Sequence, residues 1–283
     1  SFKKWEYTFI CLKMKVIEGI RTLKIFDVSD INRYKVTNQI SMGSSYDIFQ
    51  VVEKETKQKY VFKILKPSKE NNYSDEEDYS YEEEDSISDS NHKEIKRFVS
   101  SADIMSTLNS PFILKIIGLC VNFVYRKITT AAMFLEYCQN GSMDEFLLKE
   151  KNNDFSPQWN DTKKFICIYA IAVAMSYMHS QKILHLDLNP KNILLDENLH
   201  PKICDFWASK KMRKSDTSSQ EDDCSKVDGD IPYMAPELLC EKDYSTPADV
   251  YSFGVTVHEI LTGERPIEGG LQGIQKIMRA GGK

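Results

Sequence analysis

The stretch 183-ILHLDLNPKNILLD-196 places an acid, two asparagines and a lysine in a short loop between two apolar runs. The apolar residues on either side predict two short buried strands, and Pro190 argues against a helix between them. Polar groups on a loop held by core on both sides often bind ligands or catalyse reactions. The alternative is a tight turn in which Asp187 and the asparagines bond only their own backbone. The stretch alone leaves both interpretations open.

The composition is that of an ordinary globular protein, with 41% hydrophobic and 28% charged residues in a chain of 283. This length allows one large domain or two smaller ones, each able to bury a core. No apolar run approaches the roughly 20 residues of a membrane helix, and the first residues lack the apolar block of a leader peptide. The seven cysteines are scattered without a C-x-x-C pair, which indicates thiols in a reducing compartment rather than a zinc site. We therefore expect a cytoplasmic protein.

Negative charge is concentrated in one part of the chain. Ten acidic residues lie between residues 70 and 89, and without them the net charge of −5 becomes +5. The segment 69–91, the acidic segment, has too little apolar surface to offset the entropy lost on ordering, so we expect a disordered loop there. An inert loop and a regulated loop both fit. The serines with acids just downstream, a pattern of acid-directed phosphorylation, are Ser74, Ser80, Ser86 and Ser88.

Hydrophobic periodicity predicts a sheet-rich first half. Residues 34–65 alternate β-forming and turn residues and predict three antiparallel strands. Residues 111–120 and 131–138 predict two more strands. Between these two groups, helical spacing predicts a helix after the acidic segment, with an apolar face made of Ile95, Phe98, Ala102, Met105 and Leu108. Residues 1–30 form no recognisable motif and are interpreted as an extension of unknown role, with a possible hairpin turn at Glu18 and Gly19.

The second half is predicted to be helical. Asp161 is expected to cap a long helix that ends just before the stretch 183–196. Its predicted buried stripe is Phe165, Ile168, Ile171, Met175 and Met178. Further on, Thr246 and Pro247 supply a cap and a first-turn proline for another helix, which Gly263 ends.

Five motifs in a fixed order carry a resemblance to a known family. They are a glycine-bearing hairpin, the strand 60-YVFKIL-65, the stretch 183–196, 202-KICDFWAS-209 and 233-YMAPELL-239. In this order they resemble the signature set of eukaryotic protein kinases. The resemblance implies a two-lobed α+β fold over residues 31–283. A small β-rich lobe would extend to about residue 138, a helical lobe would cover 139–283, and ATP would bind between them. The family usually continues through further helices, so we expect an incomplete helical lobe.

The resemblance also implies a role for each motif residue. Asp187 matches the acid that orients and deprotonates the substrate hydroxyl, while Asn192 and Asp205 match the magnesium ligands. Lys191 stands where many tyrosine kinases place an arginine that steadies the γ-phosphate, although a solvent-facing lysine is an equal alternative. The implied nucleotide-binding residues are Gly43, Ile48, Val61, Lys63, Glu136, Cys138 and Leu194. The residues implied to be structural are His185, Glu237 and Asp249.

The chain departs from the family pattern at several of these motifs. Ser101 stands where the family has the glutamate that pairs with the strand lysine, and Glu94 on the same helix face lies about 10 Å away along the axis. The remaining departures are Ser41 and Tyr46 at two glycine positions, Val61 for an alanine, Leu186 for an arginine, Asn189 for a lysine and Trp207 for a glycine. Side chains at the glycine positions should loosen the grip on phosphate.

Two functions compete on these residues, and a third interpretation, an unstable fragment without function, rests on the expected absence of the last helices. The first is a serine/threonine kinase that transfers the γ-phosphoryl group of Mg-ATP to protein hydroxyls, a class that Pro190 favours over the tyrosine class. The second is a pseudokinase that binds partners, with or without nucleotide, and does not turn over. The motif losses favour the second, whereas retention of Lys63, Asp187, Asn192 and Asp205 favours the first. In either case we expect partners among proteins and ATP, and neither nucleic acid nor a membrane.

Overall fold

The computed structural model describes residues 23–43, 45–66, 83–126, 128–154, 157–212, 229–239 and 244–265. These residues belong to two compact units. The β-rich unit contains the described residues up to Thr107 together with Lys115–Tyr137, and the helical unit contains Leu108–Leu114 and the described residues from Cys138 onward. The predicted division into a β-rich half and a helical half is therefore confirmed. Among the described residues no helix is both long enough and apolar enough to cross a membrane.

The β-rich unit is built on a five-stranded antiparallel sheet with the order β1-β2-β3-β5-β4. The strands are β1 Tyr34–Met42, β2 Tyr46–Glu53, β3 Lys59–Leu65, β4 Ile116–Tyr125 and β5 Ile128–Glu136. The three strands predicted over residues 34–65 are confirmed, and so are the two later ones. The fourth strand begins at Ile116 rather than near Pro111, because residues up to Leu114 belong to the helical unit.

Aromatic rings fill the core on one face of this sheet. The ring centroid of Phe134 lies 4.6 Å from that of Phe26, 4.7 Å from that of Tyr34 and 4.6 Å from that of Phe62. Ring contacts of this kind stabilise a core beyond the apolar area that they bury. Since successive side chains of a strand point to opposite faces, burial of Phe62 and Ile64 here places Val61 and Lys63 on the other face.

Residues just before the first strand also belong to this unit. Phe26 N donates to Leu119 O (2.8 Å) and Leu119 N to Lys24 O (3.0 Å), so residues 24–26 form a parallel bridge with β4. Gly118 permits this approach, because a Cβ there would lie 2.0 Å from the Phe26 ring. Helix α1, Val28–Ile31, follows with Asp27 as its N-cap. The boundary predicted at residue 31 therefore falls inside the packed unit, whereas Glu18 and Gly19 lie outside the described residues.

Helix α2, Glu83–Thr107, is the helix predicted after the acidic segment. It starts earlier than expected, so residues 83–91 of the segment predicted to be disordered are helical, and residues 69–82 lie outside the described part of the chain. The predicted apolar residues Ile95, Phe98, Ala102 and Met105 are buried, whereas Leu108 follows the helix end.

The helical unit contains α3 Met143–Lys151, α4 Asp161–Ser180, α5 Pro236–Leu239 and α6 Thr246–Thr262. Two short strand pairs join β6 Ile183–Leu184 to β9 Lys210–Lys211, and β7 Ile193–Leu195 to β8 Pro201–Ile203. The two predicted helices are present with their caps shifted by one residue. Asn160 rather than Asp161 caps α4 through a bond from Lys163 N, Ser245 rather than Thr246 precedes α6, and Gly263 ends α6 at φ 71° as predicted.

The buried face of α4 differs from the predicted stripe. Phe165 is 60% exposed and Ile168 half-buried, whereas Ile171, Met175 and Met178 are buried as expected. The helix carries apolar residues on most of its circumference, so their spacing alone does not identify one face. The small residues Cys167, Ala170 and Ala174 occupy the buried face instead.

Candidate active site

The loop of residues 185–192 lies between β6 and β7, as the stretch 183–196 predicted. Pro190 begins a single 3₁₀ turn, Pro190–Asn192, so the proline starts a helical turn rather than excluding one. Asn189 caps this turn, because its Oδ1 accepts from Lys191 N (3.0 Å) and Asn192 N (3.3 Å). The interpretation as a turn that bonds its own backbone is thus correct for Asn189.

The carboxylate of Asp187 is held on both oxygens. Its Oδ1 accepts from Asn189 Nδ2 (3.1 Å) and from the backbone N of Asp230 (3.0 Å), and its Oδ2 accepts from Asn192 Nδ2 (2.7 Å). Burial raises the pKa of Asp187 above its ordinary value and the charge of Asp205 adds to this, against the opposing effect of the hydrogen bonds. A half-buried carboxylate with fixed orientation and a raised pKa is suited to accept a proton.

The backbone of the same loop is fixed by Asp249 on α6. This fully buried carboxylate accepts from His185 N (2.9 Å), Leu186 N (2.8 Å) and His179 Nε2 (2.8 Å). Leu186 has φ 65°, a left-handed conformation that costs free energy for a residue with a Cβ. Asp249 therefore holds the residue before Asp187 in a conformation that it would otherwise avoid.

His185 is a packed residue, as the resemblance implied. Its ring is fully buried and lies edge-on to Phe206 with the centroids 5.1 Å apart. The Nδ1 atom accepts from Asp187 N (3.3 Å), so Nε2 carries the proton and donates to Cys204 O (3.0 Å). The imidazole thus connects the backbone of Asp187 to the segment that carries Asp205.

The two predicted metal ligands lie at the ends of the β7–β8 pair, because Asn192 directly precedes β7 and Asp205 follows β8. Cys204 N donates to Asn192 O (2.9 Å), and Asp205 has the left-handed φ of 62°. Asn192 uses its amide nitrogen for both bonds to Asp187, which leaves its amide oxygen as the group to meet a metal. One carboxylate and one amide oxygen fit Mg²⁺, which is bound by few protein ligands together with substrate phosphates. Within the described ranges no group of three or more His, Cys, Asp or Glu suggests another metal.

Lys191 is paired rather than simply solvated. Its Nζ lies 2.9 Å from Asp230 Oδ2, and its side chain is 50% exposed. Because the backbone N of Asp230 donates to Asp187, this ion pair connects Lys191 through Asp230 to the predicted catalytic acid. Asp230 was missed from the sequence, where the only signal was a Gly-Asp pair, Gly229 and Asp230, just before the 233–239 motif.

The predicted nucleotide residues are divided between the two units. Ile48, Val61 and Lys63 share one face of the sheet in the β-rich unit, since Ile48 lies directly opposite Lys63. In the same unit, Glu136 accepts from Lys115 N through its side chain (2.6 Å). Cys138 and Leu194 belong to the helical unit, where Cys138 is buried and Leu194 forms a bridge with Ser142.

The hairpin that carries Gly43 is tightly bonded. Gly43 N donates to Tyr46 O (2.8 Å), and Lys66 Nζ donates to Gly43 O (2.7 Å). The same ammonium lies 3.1 Å from Asp47 Oδ1, and Asp47 also accepts from Tyr125 OH (2.5 Å). Sequence reasoning passed over Lys66 and Asp47, which fix the hairpin although two of its family glycines are absent.

Comparison with known proteins agrees with the motifs. The family model for the protein kinase domain matches residues 34–280. Wall-associated receptor kinase-like 6 of Arabidopsis thaliana is 34% identical over 177 residues, which are 61% of this chain and 26% of that protein. The G-type lectin S-receptor-like serine/threonine-protein kinase SRK of the same plant is 31% identical over 182 residues, 63% of this chain and 20% of that protein. The matched region thus spans about a quarter or less of these relatives.

Proposed function

The chain belongs to the protein kinase domain family, and on that premise we propose that it is a serine/threonine kinase that transfers the γ-phosphoryl group of Mg-ATP to a hydroxyl group of a protein. The observation that carries this proposal is the half-buried carboxylate of Asp187, which is held by Asn189, Asn192 and the backbone of Asp230. In a site that has lost its function, we would not expect three hydrogen-bond donors to remain on one carboxylate. The serine/threonine class is supported by Pro190 and by the name of one relative.

Each role that the kinase family implies can be assigned to a residue of this chain. Bound Mg-ATP supplies the phosphoryl group and the metal charge that neutralises it. Asp187 accepts the proton of the attacking hydroxyl, and its two asparagine partners keep it oriented. Asn192 and Asp205 would hold Mg²⁺, and Lys63 would bind the phosphates. We also propose a cytoplasmic location, because the reaction consumes ATP and the described cysteines are buried thiols.

One observation supports a pseudokinase as the second candidate. Ser101 occupies the position predicted for the lysine's glutamate partner, and its hydroxyl donates to Phe98 O on its own helix (2.8 Å). A serine bound in this way supplies no carboxylate to Lys63. In this second function the domain would bind nucleotide or a protein partner without turnover.

The first test of the proposal is nucleotide binding. We expect ATP to raise the melting temperature of the protein in the presence of Mg²⁺ and to have a much smaller effect with a chelator, because Asn192 and Asp205 provide oxygen ligands. Asp205→Asn should remove the difference between the two conditions. An equal shift with and without chelator, or no shift, would contradict the proposed metal and nucleotide site.

The second test is phosphoryl transfer to a general protein substrate, measured with radiolabelled ATP. Asp187→Asn should lower turnover by about 10²- to 10⁴-fold, the range for loss of a general base, with ATP binding retained. Amino acid analysis of the product should show phosphoserine or phosphothreonine. Binding without turnover in the unmodified protein would favour the pseudokinase instead.

The raised pKa of Asp187 predicts the acidic limb of the pH–rate profile. Only ionised Asp187 accepts a proton, so kcat/KM should fall as the pH decreases through a pKa above the ordinary aspartate value of about 3.9. Melting curves at each pH would separate this loss from unfolding. A folded protein with kcat/KM constant down to about pH 4 would show that burial does not raise the pKa of the catalytic acid.

A further inference from the structure

We propose that the aromatic ring of Tyr46 positions Lys63 for nucleotide phosphate. The inference rests on the proposed function, because it takes Lys63 as the phosphate-binding lysine. Tyr46 itself occupies a position where the family has glycine, so the ring is a feature of this chain.

The ring and the ammonium are in direct contact. Lys63 Nζ lies 4.0 Å from the centroid of the Tyr46 ring. A cation within about 6 Å of a ring centroid, over the ring face, is attracted by the negative face of the π system. The strand register produces this pair, because Tyr46 lies opposite Leu65 and Ile48 opposite Lys63. Tyr46 and Lys63 are therefore diagonal neighbours on the same face of the sheet.

The same ring contacts the helix that follows. Its centroid lies 5.8 Å from that of Phe98 on α2, with the two planes tilted by 35°. Phe98 is almost fully buried, so it offers a fixed surface for the tyrosine. Tyr46 thus connects the lysine strand to α2 through an aromatic contact. The lysine–glutamate ion pair of the family makes the same connection through charge.

The backbone of the hairpin keeps the ring in this place. Gly43 N donates to Tyr46 O (2.8 Å), and Lys66 N donates to Ser45 O (2.9 Å). The Lys66 ammonium also donates a hydrogen bond to Gly43 O (2.7 Å) and forms an ion pair with Asp47 Oδ1 (3.1 Å). Four contacts over so short a turn leave the Tyr46 backbone little freedom, which is what a positioning residue needs.

An aromatic anchor also has a chemical consequence. The ring attracts the ammonium without bringing a full negative charge next to the phosphates. The ring face therefore sets the direction of the Lys63 ammonium. Tyr46 acts on the nucleotide through Lys63 and is a positioning residue, not a catalytic one.

The test compares two replacements of Tyr46 in the complete chain, with the dissociation constant of Mg-ATP measured by calorimetry. Tyr46→Leu removes the ring and should weaken Mg-ATP binding about five- to tenfold, the effect of losing one partly buried cation–π contact. Tyr46→Phe keeps the ring and should remain within about twofold of the unmodified protein. Tyr34→Leu is the matched control, since it removes a ring of the same unit that contacts Phe26, Tyr60 and Phe134.

A double-variant cycle with Lys63→Met shows whether the effect passes through the lysine. If Tyr46 positions Lys63, then Tyr46→Leu should weaken binding no further once Lys63→Met is present. An equal further loss in that background would mean that Tyr46 serves general packing, and it would overturn the inference. Equal losses in Tyr46→Leu and Tyr46→Phe, or tighter binding in Tyr46→Leu, would overturn it too, because the hydroxyl or an obstructing ring would then be responsible.

The same cycle separates this inference from the proposed function. Weaker binding in Lys63→Met with no change in Tyr46→Leu would overturn the role of Tyr46 alone. Unchanged binding in Lys63→Met would overturn the assignment of Lys63 to the nucleotide, and the inference with it. The melting temperature of each variant, measured without nucleotide, shows whether a loss of binding reflects a loss of folding.

Discussion

Replacement of Asp249 by alanine should destabilise the helical unit by about 3–5 kcal/mol, the cost of breaking a buried charged network. The variant would leave the backbone N–H groups of His185 and Leu186 without their acceptor, in a place where water has little access. It would also release the left-handed backbone of Leu186, one residue before Asp187. We therefore expect both lower stability and a large loss of turnover.

Chemical denaturation followed by tryptophan fluorescence measures this effect, because Trp159 is buried in the helical unit. Asp161→Ala is the matched control, since it removes an exposed acid from the first turn of α4 and should cost less than about 1 kcal/mol. A loss in Asp249→Ala no larger than that of the control would mean that the loop is held by other contacts.

The pH dependence of stability gives a second measurement on Asp249. Burial by itself raises the pKa of this carboxyl, but the hydrogen bonds from His179 and from the backbone of Leu186 and His185 outweigh it and hold the pKa below its usual value. The folded state therefore gains stability from Asp249 above the unfolded pKa of about 3.9 and loses it as the pH falls through the lower folded pKa. Asp249→Asn should reduce this acid sensitivity.

Local patterns in the sequence were sufficient to predict most elements of the fold. The alternation over residues 34–65 and the apolar spacing around Phe98 specify their elements through contacts close in sequence. Two features required knowledge of distant contacts. The bridge between residues 24–26 and β4 joins segments more than ninety residues apart, and nothing in its own sequence indicates a partner. The buried face of α4 depends on which neighbours surround a helix that is apolar on most sides.

The candidate site also contains residues that the sequence alone could not predict, because their contacts are distant in the chain. The residues of the 183–196 stretch were found because the order of the motifs is specific, and the structure brings Asp187, Asn189 and Asn192 into one bonded group. Asp230 reaches this group from 38 residues beyond Asn192, and no periodicity marks it. The family has a lysine where this chain has Asn189, which predicts that Asn189→Lys would raise turnover. The structure opposes this expectation, because Asn189 is 2% exposed and both ends of its amide are bonded.

A lysine at position 189 would lose the hydrogen bonds at both ends of the amide, so we propose that Lys191 supplies the positive charge for the transferring phosphoryl group. The ammonium of Lys191 lies 2.9 Å from Asp230 Oδ2, and the backbone of Asp230 contacts Asp187. The ammonium is thus paired with the residue whose backbone N bonds the acid that would receive the substrate proton. A fixed charge of this kind stabilises the negative charge that develops on a transferring phosphoryl group.

Lys191→Ala should consequently lower turnover by about 100-fold, the lower end of the cost of losing one electrostatic stabiliser, with little change in the dissociation constant of Mg-ATP. Stability should change by less than about 1 kcal/mol, because the ion pair with Asp230 is partly exposed. Asp230→Asn should lower turnover about tenfold, since it releases the ammonium but keeps the backbone bond to Asp187. Lys151→Ala, at an exposed lysine of α3, is the control and should leave turnover unchanged. Single-turnover phosphorylation of a protein substrate separates these effects, and turnover in Lys191→Ala equal to that of the control would show that Lys191 faces solvent without a role in transfer.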